Sequence, residues 1–125
     1  LVEMVTFNTV IGNADAHGKN VALLHDPDGT VRLAPLYDTV PTMLYPSLRT
    51  NVAMSVSAKE NLLTITANDI VAEATSWPLS EKTARQAVID VLDRLTKALD
   101  AVPLPGELVT LVRSRTKALL EHPHA

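Results

Sequence analysis

The chain has 125 residues, 46% of them hydrophobic and only 3% aromatic, so any core must be filled by Leu, Val, Ile and Ala. A net charge of -3, a pI near 5.7 and scattered Lys and Arg leave no basic footprint for nucleic acid. The absence of cysteine excludes disulfides, thiol catalysis and Cys-ligated zinc. No apolar run has the length of a bilayer span and no signal peptide is visible, so a cytoplasmic soluble protein is the expectation.

Leu1 to Ile11 carries apolar residues at 1, 2, 4, 5, 7, 10 and 11, the pattern of a buried helix, with no N-capping residue before it. It opens on Leu-Val-Glu-Met, which reads as a helix cut out of a longer chain. Gly12-Asn13 is a helix stop, so Asp15 to Asn20 should form an exposed loop. Val21-Ala22-Leu23-Leu24 reads as a short strand, His25 to Thr30 as a turn, and Val31-Arg32-Leu33-Ala34 as the returning strand. Such a hairpin would carry Asp38 back toward Asp15. From Thr39 to Leu63, with Pro41 and Pro46, the pattern is irregular, with one candidate strand at Val52 to Val56. Thr66-Ala67-Asn68-Asp69 is a capping box with aspartate in the usual glutamate position, opening a helix that ends before Trp77-Pro78. Ser80 caps the next helix, whose inward face is Ala84, Ala87, Val88, Val91, Leu92, Leu95 and Leu99. Pro103 and Pro105 end it and start a last helix that turns Leu108, Leu111, Val112 and Leu119 inward. The expected class is mainly α with a small β-hairpin. Residues 1–42 form a catalytic-loop and metal-binding segment, 43–66 an irregular segment and 67–122 a helical subdomain.

Groups able to handle phosphate or metal gather in Ile11-Gly12-Asn13-Ala14-Asp15-Ala16-His17-Gly18-Lys19-Asn20 and at Asp38. The step from Asp15 to Asn20 is that of the kinase catalytic loop, where an aspartate is followed five positions later by a magnesium-binding asparagine. Phosphoryl transfer needs positioning and charge neutralisation more than covalent chemistry. Asp15 therefore suits a base or an orienting group for the attacking hydroxyl. Asn20 and Asp38 offer the oxygen ligands that Mg²⁺ favours. Each also has a plainer reading. Asp15 could cap a loop turn, Asn20 could start a strand, and Asp38 could cap a short turn at Thr39-Val40. His17 and Lys19 are placed for phosphate; equally, His17 could brace the loop and Lys19 could stay solvated. His25, His122 and His124 read as turn and tail residues.

The two segments together, Ile11 to Asn20 and then Arg32-Leu33-Ala34-Pro35-Leu36-Tyr37-Asp38, resemble the HipA family of toxin serine/threonine kinases. In that family a D-x-H-x-K-N loop precedes an L-x-P-x-Y-D segment. The resemblance covers about Phe7 to Pro41, and the helical remainder suits that family's C-terminal lobe. It implies that Asp15 is the catalytic aspartate, that Asn20 is a magnesium ligand, and that Asp38 is the counterpart of the kinase D-F-G aspartate. It further implies ATP and Mg²⁺ as cofactors and a bacterial source. The implied partners are a protein substrate, an aminoacyl-tRNA synthetase in the best-known case, and a DNA-binding antitoxin. The loop alone also resembles that of phosphoinositide-type lipid kinases; the Ala-Pro-Leu-Tyr-Asp segment favours the HipA side.

A kinase also needs a phosphate-covering loop and a phosphate-pairing lysine. With 4 glycines and no G-x-G-x-x-G, the chain offers neither, so the nucleotide-binding lobe is expected upstream of Leu1, on the same or a separate chain. The expectation is half of an active site, with little or no activity in isolation. The rivals are a degenerate kinase lobe that only binds or regulates a partner, and a metal-dependent hydrolase using Asp15, His17 and Asp38.

Overall fold

The computed structural model describes residues 1–15, 22–34, 41, 43 and 51–121. Helix α1 (Val2–Ile11) lies at the centre and packs against α2 (Ala67–Thr75), α3 (Glu81–Ala101) and α4 (Gly106–Glu121), while α2 also packs on α3. Val10, Ile70, Val88 and Leu119 meet at the heart of this arrangement, joined by Leu92, Val112 and Ile65. No helix among the described residues is long and apolar enough to cross a membrane.

Being surrounded changes what α1 buries. The apolar spacing predicts that Met4, Val5 and Phe7 face inward, yet these are half-buried, while Thr6, Asn8 and Thr9 are buried. Their side-chain donors are satisfied within the helix. The Thr6 and Thr9 hydroxyls donate to the carbonyls of Val2 and Val5, each at 2.8 Å, and the Asn8 amide donates to Met4 O at 3.1 Å. Burial without an unpaired hydroxyl is therefore tolerable.

The helix stops where the sequence places the stop. Gly12 takes the left-handed conformation (φ 77°), and its N–H and that of Asn13 both donate to Asn8 O. A Cβ at Gly12 would lie 3.1 Å from Leu111 Cδ2 and 3.2 Å from Met43 Cβ. Backbone geometry and close packing thus both call for glycine here.

The first hairpin, β1 (Leu23–His25) with β2 (Val31–Leu33), is antiparallel with Leu23 opposite Leu33. Its turn is closed by Asp26 N–H donating to Thr30 O at 2.8 Å and Thr30 N–H donating to Asp28 Oδ1 at 2.9 Å. Both strands are exposed along their length.

A second hairpin occupies part of the segment expected to be irregular. The candidate strand forms as β3 (Asn51–Val56), and β4 (Lys59–Asn61), which the pattern does not suggest, returns beside it. Its turn uses Ser57 and Ala58 with positive φ (48° and 64°), positions that two-residue turns normally give to Asn and Gly. Contacts with α2 make up for the residue type. Ser57 N–H donates to Glu73 Oε2 at 2.8 Å, the Ser57 hydroxyl donates to Asp69 O at 2.7 Å, and Lys59 Nζ donates to Asp69 Oδ2 at 2.7 Å.

The caps match expectation. Asp69 N–H donates to the Thr66 hydroxyl at 3.2 Å while Thr66 N–H donates to Asp69 Oδ2 at 2.8 Å, and Ser80 Oγ accepts from Thr83 N–H at 3.1 Å. On α3, Ala84, Val88, Val91 and Leu92 are buried with Ala87, Leu95 and Leu99 partly so, and on α4 Val112 and Leu119 are buried. Arg115 is the unexpected member of the α4 face. It is 5% exposed, and its Nη2 donates to Leu62 O at 2.9 Å, tying α4 to the 3-10 turn Leu62–Thr64. Burial pushes its guanidinium below its ordinary pKa.

Two predictions follow from this packing. Gly12→Ala should cost about 1–3 kcal/mol in denaturant unfolding, since alanine must hold a left-handed φ against Leu111 and Met43. Asp69 gives a pH signature. Burial alone would raise its carboxyl, but the hydrogen bonds from Lys59 and Thr66 and the Lys59 charge outweigh that and hold it below the usual value. The unfolded chain then takes up this proton first as pH falls. The contribution is full above the unfolded aspartate pKa of roughly 3.9 and is lost as pH drops through the lower folded value. Asp69→Asn should lower stability at neutral pH by about 1.5–3 kcal/mol and flatten the acid limb of a melting-temperature titration.

Candidate functional site

The loop base is built by the end of α1. Past Gly12 the chain places Asn13 inside, 4% exposed, and Asp15 outside. The Asn13 Oδ1 accepts from Asp15 N–H at 3.1 Å, closing an Asx-type turn, and its Nδ2 donates to Asn8 Oδ1 at 2.8 Å. With the Asn8 bond to Met4 O, three hydrogen bonds run in series from Asp15 to the body of α1. Their direction is fixed at both ends, by an N–H at Asp15 and a carbonyl at Met4. Reversing either amide would set like groups against each other.

The base is also held from the side. Ala53 N–H on β3 donates to Ala14 O, and Met43 N–H donates to Gly12 O, each at 3.0 Å. Asp15 thus stands exposed on a backbone tied to two elements, as a carboxylate must if it is to meet an incoming substrate.

Of the residues singled out for chemistry, only Asp15 is described. His17, Lys19, Asn20 and Asp38 lie outside the described residues, as do His122 and His124. His25 is exposed at the end of β1. Among the described residues, no group of three or more His, Asp or Glu could hold a metal ion. A groove of about 290 Å³ lies along the first half of α1, lined by Leu1, Met4, Phe7, Leu33 and Val91 with Glu3 and Arg94 beside them, and does not include Asp15.

Asn8 and Asn13 carry the part of the site that sequence reasoning reads only as a helix stop. A detectable signal existed for one of them, because Asn two residues before a key residue is the Asx-turn spacing. For Asn8, inside the helix, nothing in the pattern marks burial.

Known proteins share sequence and fold with this chain. A family model described as HipA-like C-terminal domain matches residues 1–99. A Sinorhizobium fredii protein named "Putative kinase Y4mE" is 36% identical over 101 residues, covering 81% of this chain and 22% of the relative. The "Serine/threonine-protein kinase toxin HipA" of Shewanella oneidensis is 36% identical over 56 residues, covering 45% of this chain and 13% of that one. The chain spans 22% of the length of the Y4mE relative and of a second Sinorhizobium fredii protein, "Putative kinase Y4dM", 31% identical over 91 residues. Among solved structures, a chain from the Shewanella oneidensis toxin–antitoxin complex of HipA, HipB and operator DNA superposes with a TM-score of 0.70 at 24% identity, over 98% of this chain and 30% of that one. At that identity the match speaks for the fold. The family match over residues 1–99 places the chain in the family of HipA-like C-terminal domains.

Proposed function

We propose that this chain carries the catalytic-loop half of a HipA-like serine/threonine protein kinase. The observation that carries the reading is Asp15, exposed on a loop base held by buried hydrogen bonds, within a family whose Shewanella relative is named a kinase toxin. The hairpin adds support. Ala34 N–H donates to Ala22 O at 2.8 Å, pairing the hairpin to the end that lies nearest in sequence to Asn20 and Asp38.

In this reading Asp15 orients the substrate hydroxyl and takes its proton. The freed oxygen bonds to the γ-phosphorus of ATP, the bond to the bridging oxygen breaks, and ADP leaves. Asn20 and Asp38 are the oxygen donors that would hold Mg²⁺, which when bound neutralises charge on the phosphates. In the same reading His17 would serve as a brace for the loop and Lys19 as a phosphate contact. The nucleotide-binding half comes from polypeptide outside this chain, consistent with the fraction of its relatives that it spans. The substrate is a protein hydroxyl. The complex of the Shewanella relative with HipB and operator DNA supports a DNA-binding antitoxin as the partner of the complete protein.

ATP turnover with Mg²⁺, measured for this chain alone and for a form extended upstream, tests the proposal. The expected result is activity in the extended form alone, reduced by on the order of 10²–10³-fold in Asp38→Ala and comparably in Asp15→Ala. Turnover by the 125-residue chain alone would overturn the half-site reading. Silence of a folded, extended protein would leave a kinase-like module that only binds.

A further inference from the structure

We propose that Asn13 is a positioning residue for Asp15, coupling its place in the active site to the body of α1. The inference rests on the kinase reading above. Its starting point is that the side chain of Asn13 is not needed to stop the helix. Gly12 already turns the chain, and the backbone N–H groups of Gly12 and Asn13 both bond to Asn8 O. A buried amide with no role in that stop is costly unless its groups are paired. Both of its ends are paired, one to Asp15 N–H and the other to Asn8 Oδ1, which is itself buried.

The consequence is directional. The bond from Asp15 N–H fixes the backbone at the residue whose carboxylate faces solvent, and the Asn8 bond stops Asn13 from turning away with it. The opposite side of the loop base is held at Ala14 by Ala53. Removing the Asn13 acceptor frees Asp15 while leaving the glycine turn and the Ala14 contact in place. A carboxylate displaced by about 1 Å loses on the order of 10²-fold in rate, because the reacting groups no longer align. Binding of ATP, which Asp15 does not contact in this reading, should be little changed.

The test uses the upstream-extended protein, with residue-resolved amide exchange at Asp15 alongside steady-state turnover. Expected are a protected Asp15 amide in the parent and loss of that protection in Asn13→Ala, with the amides of α1 still protected. kcat should fall about 10- to 100-fold and KM for ATP stay within about twofold. Asn13→Asp keeps an acceptor for Asp15 N–H but loses the donor to Asn8. It should melt lower than the parent and show a kcat between those of the parent and Asn13→Ala. An unprotected Asp15 amide in the parent overturns the proposal without any variant. So does a kcat that merely follows melting temperature across the variants. Unchanged turnover in Asp15→Ala would instead sink the kinase reading, and the positioning role with it.

Discussion

The left-handed turn at Gly12 is the constraint on which the rest of the described site depends. At the end of α1 the last carbonyls need donors, and α4 packs against this helix with Leu111 beside Gly12. Glycine reverses the path within one residue and lets Leu111 and Met43 close over it. Asn13 then points inward and Asp15 outward, and the buried amides of Asn8 and Asn13 hold that division. The backbone that carries the exposed carboxylate is anchored by hydrogen bonds lying beneath it.

A second set of polar contacts ties this site to the helical body. The turn at Ser57-Ala58 has an unfavourable backbone, stabilised by Glu73 and by the Asp69 carbonyl on α2, with Lys59 paired to the Asp69 carboxylate. This pair is half-buried, with the Asp69 side chain 12% and that of Lys59 36% exposed, and its carboxylate is also part of the α2 cap. It is therefore worth more than surface pairs such as Arg85–Glu81. β3 runs into that turn and reaches Ala14 through Ala53, so α2 and the loop base share one continuous connection. Arg115 makes a similar link from α4, giving up solvent in order to bond the Leu62 carbonyl.

The family assignment and the physical description meet at Asp15. A HipA-like C-terminal domain that spans about a fifth of two of its relatives would, under the proposed function, supply one side of a two-sided reaction. What it supplies in the proposed mechanism is acid–base and metal-ligand oxygen chemistry on a rigid stem. The exposed apolar residues of the first hairpin, Leu23, Val31 and Leu33, belong to the same half of the chain as that stem.

The sequence alone was enough for the local features. The glycine stop after Ile11, the Thr66–Asp69 capping box, the Ser80 cap and the inward stripe of α3 are each set by residues within a few positions of one another, and each is where the pattern puts it. The motif around Asp15 was legible for the same reason, and it led to the family. Tertiary structure decided what no local pattern encodes. Thr6, Asn8 and Thr9 are inside because three helices surround α1, leaving Met4 and Phe7 at the edge. β4 forms because distant carboxylates on α2 stabilise a turn whose own residues, Ser57 and Ala58, disfavour it. Asn13 became part of the site only when folding buried it against Asn8, since an amide beside a glycine looks the same in sequence whether it faces water or a partner.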